Sequence, residues 1–303
     1  MSAVGITFGQ AEGNYAKSQG NALYGNYNTP YNSPSFSTIQ LNDSTFTLQS
    51  KVLYNIKPDK LVAIFSVTQT GKELKECNTN LNAKLESFRG KIGNLGISKE
   101  NIHTDILYCI PKFEMSVEKK MFSKTATEVP VGYEMQKNIH VTFDNEEQLE
   151  GILNAALESE IYDFVKVEYF IADKWKWQKA AMLKAAQILD IKADTLFKYF
   201  NVNNKTRNVV HEEVQMITPP QKYRSYTAYE SYNPYYKGGV KPKNTTYAEK
   251  NQTQFYDAVK QSEFDYIENP VENKPVVSMI YRIVVKFTIP KENNRSNTAN
   301  TKP

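Results

Sequence analysis

Cysteine, histidine and tryptophan are scarce in this chain, with two, three and two residues among 303. Two cysteines, Cys77 and Cys109, exclude a scaffold built on disulfides. Three histidines, His103, His140 and His211, leave little material for acid–base or metal chemistry. His211-Glu212-Glu213 lacks the second histidine, four residues on, that a helical zinc site needs. In a strand, His103 and Asp105 leave on one face, expected to be the solvent side. There is no phosphate-cradling glycine loop and no Gly-x-Ser-x-Gly elbow. Nor is there an apolar run near the roughly 20 residues of a membrane helix, so no spanning segment is expected. Basic and acidic residues nearly balance, 37 against 33, and a net charge of +4 is too small to argue for nucleic acid. The opening MSAVGITFGQAEGNYAKSQG has no early basic cluster and no apolar core, and as written does not read as a secretory signal. The expectation is a protein with no cofactor, no metal and no catalytic residues.

Tyrosine, by contrast, is abundant at 20 residues, and one helix is strongly patterned. Leu74, Cys77, Leu81, Leu85, Phe88, Ile92 and Leu95 recur at steps of three or four, which predicts an amphipathic helix over 72–94. Cys77 lies on that stripe, so a buried free thiol is expected there. Gly93 and Gly96 supply the stop.

Residues 1–44 are rich in Gly, Asn, Ser and Tyr without periodicity and read as an extended arm or linker. Strands are expected at 45–54, with a parity slip near Ser50, and at 61–70, joined through Pro58-Asp59. After the helix, 101–114 and 131–143 alternate as strands, with the polar stretch 118–130 between them as a hairpin loop. Asp144 and Glu147 form a capping box for a second helix that buries Leu149, Ile152, Leu153, Ala156 and Leu157. A strand at 164–171 follows, and Asp173 caps a third helix to Tyr199 whose Ala180, Ala181, Ala185 and Ala186 permit close packing. Strands at 207–217 and 276–289 complete the sheet. The fold class is therefore α+β: two successive βαβ-type units sharing mixed or antiparallel sheet packed by long helices, with the arm and an insertion appended.

That insertion, 218–275, is longer than a compact domain needs. Tyr223, Tyr226, Tyr229, Tyr232 and Tyr235 fall at every third position, followed by Tyr236, with a short helix expected near 253–264. Tyrosine offers rigid area with a polar tip, which suits protein contacts. The expected partner-binding residues are Tyr24, Tyr27 and Tyr31 of the arm and Tyr223, Tyr226, Tyr229, Tyr232, Tyr235 and Tyr236 of the insertion. Residues 276–290 close the domain and 291–303 read as a disordered tail.

Several runs resemble the SIMPL-domain (DUF541) family. They are PDKLVAIFSVTQTGKELKECN, Leu95-Gly96-Ile97, Ile102-His103-Thr104, Ile110-Pro111-Lys112-Phe113 and Val131-Gly132-Tyr133, with Asn138, Val141 and Thr142 in the next strand. The likeness covers about 45–217, with 270–289 resembling the family's closing strand. Lys198-Tyr199-Phe200-Asn201 stands where the family has a glycine-rich helix end, and the arm and insertion have no counterpart in the pattern. The resemblance implies a two-unit α+β fold, export to the bacterial envelope (periplasm or outer membrane), ring-like or cylindrical oligomers in some members, a link to stress protection and no agreed catalytic residues. The reading is a non-enzymatic envelope protein that self-associates or joins a larger assembly through its arm and insertion. It would be cytoplasmic if no signal peptide precedes residue 1. The alternatives are a stress-protective or ligand-binding module for glycan or peptide, and a redox enzyme using Cys109 or His103.

Overall fold

The apolar stripe is buried as its spacing requires: Cys77, Leu81, Leu85, Phe88 and Ile92 are shielded from solvent along α1 (Leu74–Asn94). Leu74 and Leu95, counted on the same stripe above, are exposed because they stand at the two ends, beyond the sheet the helix covers. A computed structural model describes residues 40–42, 45–120, 123–200, 206–227 and 252–288. Tyr24, Tyr27, Tyr31, Tyr229, Tyr232, Tyr235 and Tyr236, and the tail after 288, lie outside the described residues.

Strands β3 (Lys60–Gly71), β4 (Ile102–Lys120), β5 (Ser123–Phe143) and β6 (Asp163–Phe170) form an antiparallel sheet in the order β4-β5-β3-β6. With α1 and α2 (Glu147–Leu157) between them, they make the split βαββαβ arrangement of ferredoxin-like folds. Both helices cover one face, over a core that includes Leu61, Phe65, Phe88, Ile139, Val141 and Ile152. Phe65 and Phe88 meet edge to face with centroids 5.5 Å apart. Each such side chain contributes about 1.5–3 kcal/mol of gross transfer free energy. Gly96, at φ 78, takes the left-handed turn that ends α1.

The later strands do not extend that sheet. β1 (Gln40–Asn42), β2 (Thr45–Ile56), β11 (Val277–Thr288) and β7 (Thr206–Ile217) pair antiparallel as a second sheet in the order β1-β2-β11-β7, with β10 (Tyr266–Glu268) added parallel to β2. Helix α3 (Lys174–Tyr199) lies across it, and Asp173 caps that helix by accepting from Lys176 N at 2.9 Å. Ala181, Ala185, Leu189, Ala193 and Phe197 line the buried face of α3, their small members letting it sit close to Tyr281 and Val285. Ser50 stays in phase with Phe46, Leu48, Val52 and Tyr54, fully buried, so β2 has no parity slip. The link between the sheets is tied at Asp59, whose carboxylate accepts from Ala172 N at 2.8 Å while its own N–H donates to Phe170 O. Tyr169 packs against both cores.

Four local expectations are corrected. Residues 40–42, counted with the arm, form β1 (Gln40–Asn42) against β2. The stretch 118–130 is strand rather than loop: β4 and β5 stay paired out to Lys120 opposite Ser123, well beyond the last β3 rung at Gly71 and Tyr133. The capping box sits one residue later, with Asn145 Oδ1 accepting from Gln148 N and Gln148 Oε1 accepting from Asp144 N and Asn145 N, while Asp144 pairs with Lys60. Leu157, at the end of α2, is exposed.

Candidate functional site

The insertion begins at a 3₁₀ turn, Pro219–Lys222, and rises into a hairpin of β8 (Tyr223–Thr227) and β9 (Gln252–Tyr256). The expected helix near 253–264 is therefore a strand followed by a single 3₁₀ turn, Gln261–Glu263, because Thr253 and Phe255 satisfy their backbone groups across the ladder. Its return leg folds onto the domain, where Val259, Phe264 and Ile267 cover Leu53, Ile217 and Ile280 on the face of the second sheet opposite α3.

A closed polar cluster fixes the root of this hairpin. The Lys222 ammonium donates to Ser278 Oγ at 2.6 Å, Glu272 Oε2 at 2.8 Å and Tyr256 OH at 2.9 Å, which uses all three of its protons. Tyr256 OH donates to the same Glu272 oxygen at 2.8 Å, and Ser278 donates to Asn55 Oδ1 at 2.6 Å. Asn55 and Asn269 exchange side-chain to backbone bonds at 3.0 Å each. Burial pulls the Lys222 pKa down, and the Glu272 carboxylate partly opposes that. Burial and the same carboxylate push the Tyr256 phenol up. A lysine held against a serine is the pairing nucleophilic catalysis uses, but here Ser278 is fully buried. The cluster anchors the segment; it does not present a reactive group.

Of the tyrosines expected from the sequence to bind a partner, Tyr223 and Tyr226 fall within the described residues and stand on that anchored hairpin. Tyr223 meets Tyr256 edge to face at 5.7 Å and is 46% exposed; Tyr226 meets Phe255 at 5.8 Å. The β4–β5 ribbon beyond Gly71 also exposes apolar side chains, with Phe113, Met115, Val117 and Val131 in solvent. Sequence reasoning missed both the ribbon and the buried anchor.

Of the acid–base candidates, His103 and His140 stand together and His211 stands on the other sheet. His140, cross-strand from His103, bonds through Nε2 to Asp105 Oδ1 at 3.1 Å on the sheet face away from the helices. His211 stands 3.6 Å from Glu213 on an exposed strand. Among the described residues no group of three or more His, Cys, Asp or Glu could hold a metal ion. Cys77 is buried and donates to Tyr133 O at 3.4 Å, and burial pushes its thiol pKa up; Cys109 is exposed and free. No helix among the described residues is long and apolar enough to cross a membrane.

The model of the SIMPL family, described as a protein of unknown function (DUF541), matches residues 51–261. The chain belongs to the SIMPL family. The uncharacterized protein YggE of Edwardsiella ictaluri (strain 93-146) is 22% identical over 176 residues, covering 58% of this chain and 71% of that one. The SIMPL match runs past residue 217, so residues 218–261 of the insertion lie within the family's span, and it ends before β11.

The environment of its tyrosines gives this SIMPL chain a definite alkaline behaviour. Burial raises Tyr169 to about 12, and a hydrogen bond to Glu268 raises Tyr266 to about 12. Burial pushes Tyr54, Tyr256 and Tyr281 up as well. Groups raised above their unfolded value of about 10 stabilise the fold fully below that pH and lose the contribution as pH rises through the folded value. Urea unfolding at pH 9 and pH 11 is expected to give a clearly lower midpoint at pH 11, and in a phenolate absorbance titration a subset of tyrosines should ionise only together with unfolding.

Proposed function

We propose that this SIMPL protein is a non-enzymatic, self-associating component of the bacterial cell envelope, periplasmic or outer-membrane associated, whose contacts include Tyr24, Tyr27, Tyr31, Tyr223, Tyr226, Tyr229, Tyr232, Tyr235 and Tyr236. The observation that carries the reading is the anchored hairpin: Lys222 and Glu272, both almost completely buried, fix the root from which Tyr223 projects half-exposed. Rigid presentation of aromatic area reduces the ordering entropy a contact must overcome. The exposed apolar ribbon supports the same reading, since contiguous apolar surface in solvent marks interaction sites.

Multi-angle light scattering of the full chain tests it. An oligomer is expected, shifting toward monomer when Tyr24, Tyr27, Tyr31, Tyr229, Tyr232, Tyr235 and Tyr236 become serine. A wild-type monomer across the accessible concentration range counts against self-association. A rise in melting temperature with an added glycan or peptide would favour the ligand-binding reading instead.

A further inference from the structure

We propose that the outer edge of β4, residues 112–118, pairs antiparallel with the same edge of a second copy of this chain about a two-fold axis at Met115. The proposal rests on the self-association reading and names a surface for it.

An unpaired strand edge is a template for another strand, and proteins blunt such edges with bulges, prolines, charge or shortness. Nearly every edge among the described residues is blunted. β1 and β10 have three residues each. β6 is bulged at Val165, which has no partner between Lys166 and Phe164, and β7 is bulged at Val210 and carries Glu212-Glu213. On β5, beyond the end of β3, Pro130 and the bulged Val131 interrupt the edge. The inner part of β4 has its own bulge at Leu107 and then Pro111. From Lys112 to Lys120 the β4 edge runs without a bulge.

Proline fixes the phase of that edge. Pro111 has no N–H to give β5, so it sits where the backbone groups point away from β5, and alternation turns the N–H and C=O of Phe113, Met115 and Val117 outward too. Their side chains share one face at 49%, 62% and 54% exposure. Isologous pairing requires that a residue and its opposite number both face outward, which leaves a short set of registers. About Phe113, Pro111 falls opposite Met115 and a hydrogen bond is lost. About position 114, glutamate meets glutamate; about 116, Glu114 falls opposite a second glutamate at 118. About Val117, Phe113 falls opposite position 121, past the end of β4. About Met115, lysine 112 falls opposite glutamate 118 twice, Phe113 opposite Val117 twice, and about six backbone hydrogen bonds close. The occupant is thus a second copy, because this edge is complementary to itself in charge and in hydrogen-bond phase.

Sedimentation equilibrium of the full chain tests the pairing. Met115→Pro removes the central outward N–H at the same phase as Pro111, so the β4–β5 ladder should survive, checked by an unchanged circular dichroism spectrum, while association weakens. Lys112→Glu should raise the dissociation constant about tenfold by setting like charges opposite each other, and Lys112→Glu with Glu118→Lys should return it to within about threefold of wild type. If the wild type associates and both Met115→Pro and Lys112→Glu leave it unchanged, this edge is not the interface and self-association stands on other surfaces. If Lys112→Glu weakens association and the double exchange does not restore it, the register is wrong. A wild type that never associates removes this pairing and the functional reading together.

Discussion

Replacing Lys222 with alanine is expected to lower the unfolding free energy by about 3–5 kcal/mol, the range for stranding one member of a buried ion pair. Lys222 and Glu272 side chains are 2% and 1% exposed and 2.8 Å apart, so water cannot take over for the lost ammonium. Alanine would leave the Glu272 carboxylate with the Tyr256 hydroxyl alone, and Ser278 without its donor. Glu272 Oε1 already accepts no hydrogen bond among the described residues, which sharpens the penalty. Replacing Lys222 with methionine and Glu272 with leucine together should restore most of the loss, because the desolvation of both charges disappears along with their attraction. Urea unfolding of the single and double variants separates the two cases. A single variant within about 0.5 kcal/mol of wild type would mean that the cluster opens to water in solution, and that the hairpin root is not the fixed platform on which the tyrosine contact depends.

The regular elements were legible because burial wrote a period into them. Cys77 to Ile92 repeats at helical spacing, and Val277 to Phe287 alternates with every second residue buried against α3. Asp173 could be read as a cap from its position alone, whereas the second helix's box lay among Asp144, Asn145, Glu147 and Gln148, where two donor–acceptor pairs at the same spacing compete and only geometry chooses. The outer ribbon was illegible for the opposite reason. Among the described residues no helix covers this ribbon, so its alternation carries no burial signal, and the polar stretch 118–130 has the composition of a loop. The division into two sheets was also hidden, since β2 pairs with β11 across more than two hundred residues of sequence and the pattern of either strand is silent about its neighbour. The same distance concealed the anchor. Lys222 and Glu272 are separated by 50 positions within a segment whose tyrosines drew the reading toward its surface, and nothing local marks a charge for burial. The partnership of His140 with Asp105 depended on a strand register that sequence does not supply.

The conformation of Gly132 leads to the second large effect, a loss of about 2–4 kcal/mol for Gly132→Ala. At φ 153 the residue lies in backbone territory that side chains disfavour, and a Cβ there would stand 2.4 Å from Gly71 O. The obstructing atom is backbone on the last rung of β3, so it cannot swing aside as a side chain would. Gly132 sits between the bulged Val131 and Tyr133, where β5 leaves the sheet and carries the ribbon outward. Alanine must therefore either strain that junction or break the Gly71–Tyr133 rung. Gly90 supplies the control: it is exposed within α1 with nothing inside 4 Å of an added Cβ, and Gly90→Ala should stabilise by about 0.5–1 kcal/mol through helix propensity alone. Opposite signs at two glycines of one chain are expected in parallel urea titrations. The exchange rates of the Gly71 and Tyr133 amides should rise only in the Gly132 variant, since the ribbon's attachment, and with it the presentation of the β4 edge, depends on a residue without a side chain at that bend. A Gly132→Ala protein as stable as wild type would show that the junction relaxes freely, and the ribbon would then be a swinging element and not a fixed projection of the sheet.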